Sequence, residues 1–237
     1  MGFGYLPFLF NINYLIYMIP AILLMMIAQW LVSSAYKKWS QVPTRFTGTE
    51  AARRLAQYNG LYNVQIAGTN GRLSDHYDPR DKTLYLSPEV ANGSSVAAVA
   101  VAAHELGHAM QDQEGYFPLR LRAAMVPVVN IGSSVGWIFI LVGLLINWTG
   151  LAWLGVAAFA AGAAFALATL PVELNASARA RQMLANSGIV MNDKEKHGVN
   201  SVLTAAAMTY VAALATAVMQ VLYYVSLLGG MGGRRRS

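Results

Sequence analysis

Cysteine is absent from the 237 residues, which excludes a disulfide framework, a thiolate metal ligand and a cysteine nucleophile. Charge is scarce as well: Asp, Glu, Lys and Arg make up 12% of the chain, against roughly 25% in ordinary soluble domains. With 56% hydrophobic residues, that scarcity places the chain in the membrane class. Acidic residues are fewer than basic ones, 11 against 17, for a formal net charge of +6. A basic balance suits nucleic acid, but here the basic residues form no cluster with an aromatic recognition motif. No nucleic-acid partner is expected, and membrane topology accounts for the charge.

The missing charges fall in three blocks. No Asp, Glu, Lys or Arg occurs from Met1 to Tyr36, from Ala123 to Val172, or from His197 to Gly233. A span needs about 20 apolar residues. The first block therefore holds one helix, Tyr5 to Val32, and the second holds two joined by a turn at Asn147-Trp148-Thr149-Gly150. The third block holds one more, Val202 to Leu228. Small residues in the third span, Leu151 to Leu170, suit close helix packing, and the lack of any charge inside the spans argues against an ion path.

No basic residue precedes the first span, which is also too long for a secretory signal peptide and reads as a retained anchor. Lys37, Lys38, Arg45, Arg53 and Arg54 follow it at once. The positive-inside rule then puts the amino terminus outside and the next region in the cytoplasm. Arg234, Arg235 and Arg236 run against that trend at the other end of the chain.

Within the charged region stands Ala103-His104-Glu105-Leu106-Gly107-His108-Ala109. Four residues apart on a helix, His104 and His108 share a face and can hold one metal ion, with Glu105 beside it as general base and acid. With four His and six Glu in the chain, a random His-Glu-x-x-His has a chance of about 0.2%. The flanking SVAAVAVAAHELGHAM, residues 95–110, is alanine-rich and free of proline, so the motif sits on a helix, spanning 94–114. A small residue at Gly107 lets another backbone come close to that helix.

Before it, Thr47 and Glu50 have capping-box spacing and open a short helix through Gln57. Residues 64–67 and 83–87 read as short strands, with Asn70-Gly71 as a turn. The second strand is either the sheet edge beside the metal helix, where an extended substrate adds by backbone hydrogen bonds, or one more core strand.

Two histidines leave zinc under-ligated, since catalytic sites have three protein ligands. Glu173 is the best third ligand: it is the first charge after fifty uncharged residues, it lies at the membrane surface, and it opens a helix. Asp112 and Glu114 lie too near the motif on the same helix, while Asp193 and Glu195 sit in a polar loop with a solvated His197.

LSDHYDPR at 73–80, the Leu86-Ser87-Pro88 step, AAHELGHAMQ at 102–111 and LPVELNASARA at 170–180 resemble the YugP-type bacterial membrane zinc metallopeptidases, a neutral, gluzincin-like family. The resemblance runs from about Thr47 to Tyr210 in motif order, and the layout is also similar to that of the HtpX-type and CAAX-prenyl proteases. It implies His104, His108 and Glu173 as ligands of one catalytic Zn²⁺ and Glu105 as catalytic acid/base. Where the family pattern often carries an acid two positions after the ligand glutamate, this chain has Asn175, which can accept a hydrogen bond but adds no charge to orient a ligand histidine. His76 or Tyr77 is a candidate donor to the developing oxyanion, whereas Asp78-Pro79 resembles a turn initiator.

These readings combine into a mainly α membrane protein with four transmembrane helices and a small zincin-like α+β cytoplasmic domain. Its expected segments are an anchor (1–36), the domain with the motif helix (37–122), a membrane hairpin (123–170), a cytoplasmic segment with the third ligand (171–200), and a last span with its basic tail (201–237). The expected activity is zinc-dependent endoproteolysis of membrane proteins or peptides at the cytoplasmic face of the cell membrane, with the lipid bilayer as the other partner. The alternative is a non-catalytic scaffold tied together by zinc.

Overall fold

The computed structural model describes residues 12–233. Residues 5–11 of the first expected span and the terminal Arg234, Arg235 and Arg236 lie outside the described residues. Seven helices and three strands follow in the order α1 (Ile12–Trp39), α2 (Gly48–Tyr58), β1 (Gln65–Gly68), β2 (His76–Asp78), β3 (Thr83–Leu86), α3 (Pro88–Asn92), α4 (Val96–Gln113), α5 (Phe117–Leu145), α6 (Thr149–Ser187) and α7 (Asp193–Gly233). The fold is mainly helical with a small mixed sheet, and four of its helices, α1, α5, α6 and α7, are long and apolar enough to cross a membrane.

Contacts divide the chain into two units. One gathers the described residues up to Ile27, Leu121–Leu170 and those from Tyr210 on; the other comprises Ala28–Arg120 and Pro171–Thr209. In the first unit, Ile140, Ala152, Val156, Tyr223, Tyr224 and Leu228 are buried together. Tyr14 meets Tyr223 edge to face at 5.0 Å. The hairpin between α5 and α6 is tight: Asn147 takes a left-handed φ of 55°, and a Cβ on Gly143 would lie 2.5 Å from the Ala152 nitrogen.

In the second unit α2 starts as its sequence dictates. Thr47 Oγ1 accepts from the Glu50 amide at 3.2 Å and Glu50 returns the bond to the Thr47 amide at 2.8 Å, a complete capping box. Ala51, Ala52, Leu55 and Ala56 then fall on one side and are buried. The sheet has the order β1-β3-β2, with β1 parallel and β2 antiparallel to β3. Strand β3 is therefore central, which overturns the edge reading of 83–87: Leu84 and Leu86 are fully buried, and β1 and β2 are the edges. Asp78-Pro79 does begin a turn, with Asp78 Oδ1 accepting from the Arg80 amide at 2.9 Å, but residues 76–78 just before it pair with β3.

Helix α4 is the core of this unit. Ser95 caps it, its Oγ accepting from the Ala98 amide at 3.3 Å, and residues Val96–Ala100 are all buried. Against it pack Leu55, Leu84, Val90, Leu184 and Leu203 within one continuous cluster.

Glu173 does not open a new helix, as expected from the sequence; α6 is unbroken from Thr149 through Pro171 to Ser187. Proline forfeits one backbone hydrogen bond there. Continuation is favoured by the alanine-rich run beyond it, whose Val172, Glu173, Ala176, Ser177 and Ala180 are buried at helical spacing. Likewise α7 begins at Asp193, so His197 lies on a helix rather than in a loop, exposed and 5.8 Å from the Trp39 ring.

Candidate metal centre

On α4, one turn sets His104 above His108, with ring centroids 4.9 Å apart and planes nearly perpendicular at 84°. On α6, Glu173 is 2% exposed and aims its carboxylate at both. Its Oε2 lies 3.2 Å from His104 Nε2 and 3.5 Å from His108 Nε2. One donor atom from each of the three residues falls within 4.8 Å of the other two.

The remaining ring nitrogens are engaged elsewhere. His104 Nδ1 is 3.2 Å from Ser177 Oγ, and His108 Nδ1 is 3.0 Å from Gln111 Oε1. Gln111 is fully buried and gives its Nε2 hydrogens to the Val172 carbonyl at 2.8 Å and to Asn175 Oδ1 at 2.9 Å. Asn175 Oδ1 also accepts from Arg179 Nε at 2.7 Å, and Arg179 forks onto both oxygens of Glu114 at 2.7 Å each. Asn175 thus reaches His108 only through Gln111.

This set fits a zinc ion. Two imidazole nitrogens and a carboxylate oxygen converge in a buried place with their outer atoms already held, and three lone-pair donors so close repel one another unless positive charge lies between them. The electrostatics agree: burial opposes charging of His108, but the Glu173 and Glu105 carboxylates with the Gln111 bond together raise the imidazole pKa. Glu105, half-buried on the same helix, is pushed above the ordinary carboxylate range by burial, against the pull of the two imidazoles.

Close approach of the two helices makes the convergence possible. A Cβ on Gly107 would lie 2.5 Å from the Ala176 carbonyl oxygen, so only glycine allows α6 this near.

His76 is exposed on β2, stacked on Tyr85 at 4.9 Å with Nδ1 2.8 Å from the Ser74 carbonyl. Its neighbour Tyr77 turns toward α4 and donates to Asp112 Oδ2 at 3.0 Å, which with burial drives the phenol pKa well up. Asp112 and Glu114 are thus held by Tyr77 and Arg179. Sequence reasoning missed Gln111 and Ser177. Gln111 stands three residues after His108, and Ser177 four after Glu173, so helical spacing alone marks both as neighbours of the ligands. It also missed Asp75, whose carboxylate accepts from the amide and hydroxyl of fully buried Ser87 at 2.8–3.1 Å.

Comparison with known proteins bears on the same residues. The family described as "Putative neutral zinc metallopeptidase" matches residues 14–229. Over 202 residues the chain is 45% identical to "Putative membrane protease YugP" of Bacillus subtilis (strain 168), a stretch covering 84% of this chain and 89% of that protein. No solved structure is significantly similar. The match takes in both helices that bring the three donors together and all four long apolar helices, and the chain belongs to this neutral zinc metallopeptidase family.

Proposed function

We propose that the protein is a membrane zinc metalloendopeptidase in which His104, His108 and Glu173 hold one Zn²⁺ and Glu105 is the general base and acid. The observation that supports this best is the convergence of two imidazole Nε2 atoms and one carboxylate oxygen within 4.8 Å, beside a glutamate with no share in the donor set.

When bound, the ion lowers the pKa of water to about 7 and polarises the scissile carbonyl. The chain supplies the rest. Glu105 accepts a proton on its carboxylate from the attacking water and returns it to the leaving amine nitrogen, so that the C–N bond breaks as the new C–O bond is completed. Gln111 and Ser177 hold the outer nitrogens of the two imidazoles, keeping the rings in place between transfers.

Substrates in this reading are membrane proteins or peptides that reach the membrane surface. The cytoplasmic orientation rests on Lys37, Lys38, Arg45, Arg53 and Arg54 after the first span. The test is elemental analysis of the purified full-length protein, with cleavage of casein and of a model membrane protein followed in parallel. About one zinc per chain is expected in wild type, kept in Glu105→Gln with turnover down by about 10²- to 10⁴-fold, and lost in Glu173→Ala. Zinc kept in Glu173→Ala refutes the ligand set, and zinc without cleavage of either substrate favours the scaffold.

A further inference from the structure

Five residues join α4 to α6 in a single file of hydrogen bonds: Glu114, Arg179, Asn175, Gln111 and His108. Read from the arginine, the direction of every bond is fixed. A guanidinium can only donate, so the Asn175 atom that meets Arg179 Nε at 2.7 Å is its oxygen. That oxygen also meets the Gln111 side chain at 2.9 Å, so the nitrogen end of the Gln111 amide points there, an orientation the Val172 carbonyl at 2.8 Å requires as well. The oxygen end of Gln111 is then left for His108 Nδ1 at 3.0 Å, and an oxygen there demands an N–H. With its hydrogen on Nδ1, a neutral His108 carries its lone pair on Nε2, the atom that faces Glu173.

We propose that Gln111 is the positioning residue for His108, and that Arg179, clamped by Glu114, turns the Asn175 oxygen toward Gln111 and so reinforces the amide direction that the Val172 carbonyl requires. The relay selects the imidazole tautomer able to bind metal, with no solvent to reorient the fully buried Gln111 amide, while Asn175 beside it is half-buried. Glutamine and asparagine are symmetric in shape and opposite in polarity at their two ends, so without the donor-only arginine Asn175 could turn its nitrogen toward Gln111 and oppose the orientation that the Val172 carbonyl requires. The relay also explains how Asn175 serves without a negative charge: it needs one acceptor oxygen shared by two donors, which an amide provides.

The inference rests on the zinc reading, and its test separates the two. Zinc affinity is measured on full-length protein in detergent by competition with a chromogenic chelator, together with melting temperature. Gln111→Leu should weaken zinc by about 10- to 100-fold. Arg179→Met should weaken it by about 10-fold, and the double variant should be no weaker than Gln111→Leu alone, because both act on one bond. Asn175→Asp, which keeps the shared acceptor, should stay within about threefold of wild type, while Asn175→Leu should follow Arg179→Met. Wild-type affinity in Arg179→Met with only a lower melting temperature makes the ion pair a mere clamp and overturns the relay, as does an additive double variant. Should Gln111→Leu fail to fold, ¹⁵N-histidine spectra of the metal-free wild type decide: the hydrogen of His108 on Nδ1 supports the relay, and on Nε2 refutes it. Wild type that binds no zinc refutes the metalloprotease reading instead.

Discussion

Gly107→Ala sets two opposed effects of known size against each other. Alanine at a helix interior is about 1 kcal/mol better than glycine, so on propensity alone the variant gains stability. The new methyl, however, would lie 2.5 Å from the Ala176 oxygen, 3.0 Å from its carbonyl carbon and 3.1 Å from its Cα. All three are backbone atoms, so no side chain can swing aside, and ordinary contact requires α4 and α6 to part by about 0.9 Å or more. Overpacking of this kind costs about 1–3 kcal/mol, which equals or exceeds the propensity gain. The separation also displaces Glu173, three residues before Ala176, from imidazole nitrogens now 3.2 and 3.5 Å away. Metal sites tolerate only about 0.2 Å, so zinc affinity should fall at least about tenfold. Thermal unfolding and chelator competition on the purified variant read both effects. A protein more stable by the full propensity gain, with unaltered zinc affinity, would refute the close-approach argument.

Asp75→Ala leaves the amide and hydroxyl of buried Ser87 without their acceptor and should cost about 1–3 kcal/mol in denaturant unfolding; no change would mean that another acceptor replaces the carboxylate. Ser95→Ala removes the α4 cap and should cost about 1 kcal/mol by the same assay, with zinc stoichiometry kept. The Arg179 fork holds the Glu114 carboxyl below its ordinary range, so its contribution is complete above about pH 5 and is lost as pH falls toward the lower folded value. Because Glu114 is about half exposed, that contribution is under about 1 kcal/mol, and Arg179→Met should flatten the stability profile between about pH 5 and 3.

Where the controlling interactions are local, the sequence was enough to find the element. Thr47 and Glu50 specify the α2 cap between themselves, and the spacing of His104 and His108 puts both on one helical face whatever surrounds them. Four long apolar helices follow from three long charge-free stretches, the second of them long enough for two helices. Charge, however, marks where a helix can leave lipid and not where it ends, which is why α6 ran past its first charged residue unforeseen. The place of β3 in its sheet depends on pairing with strands before it, and a three-residue strand such as β2 has too few positions to show a period. Asn175 stood out in the sequence only as a departure from the family pattern, and its partner could be named only once Gln111 was found between it and His108.

The long separation in sequence between His108 and Glu173 has a consequence for synthesis. His104 and His108 leave the ribosome with Glu105 between them, whereas Glu173 follows only after the whole of α5 and much of α6 have been translated. A nascent or truncated chain that stops short of it has Glu105 and two imidazoles but, in the proposed reading, no third ligand, no Ser177 for His104 and no Asn175 or Arg179 beside Gln111. A metal centre divided in this way cannot assemble before the α5–α6 hairpin has been made, so in the proposed zinc reading an unfinished chain is an inactive one.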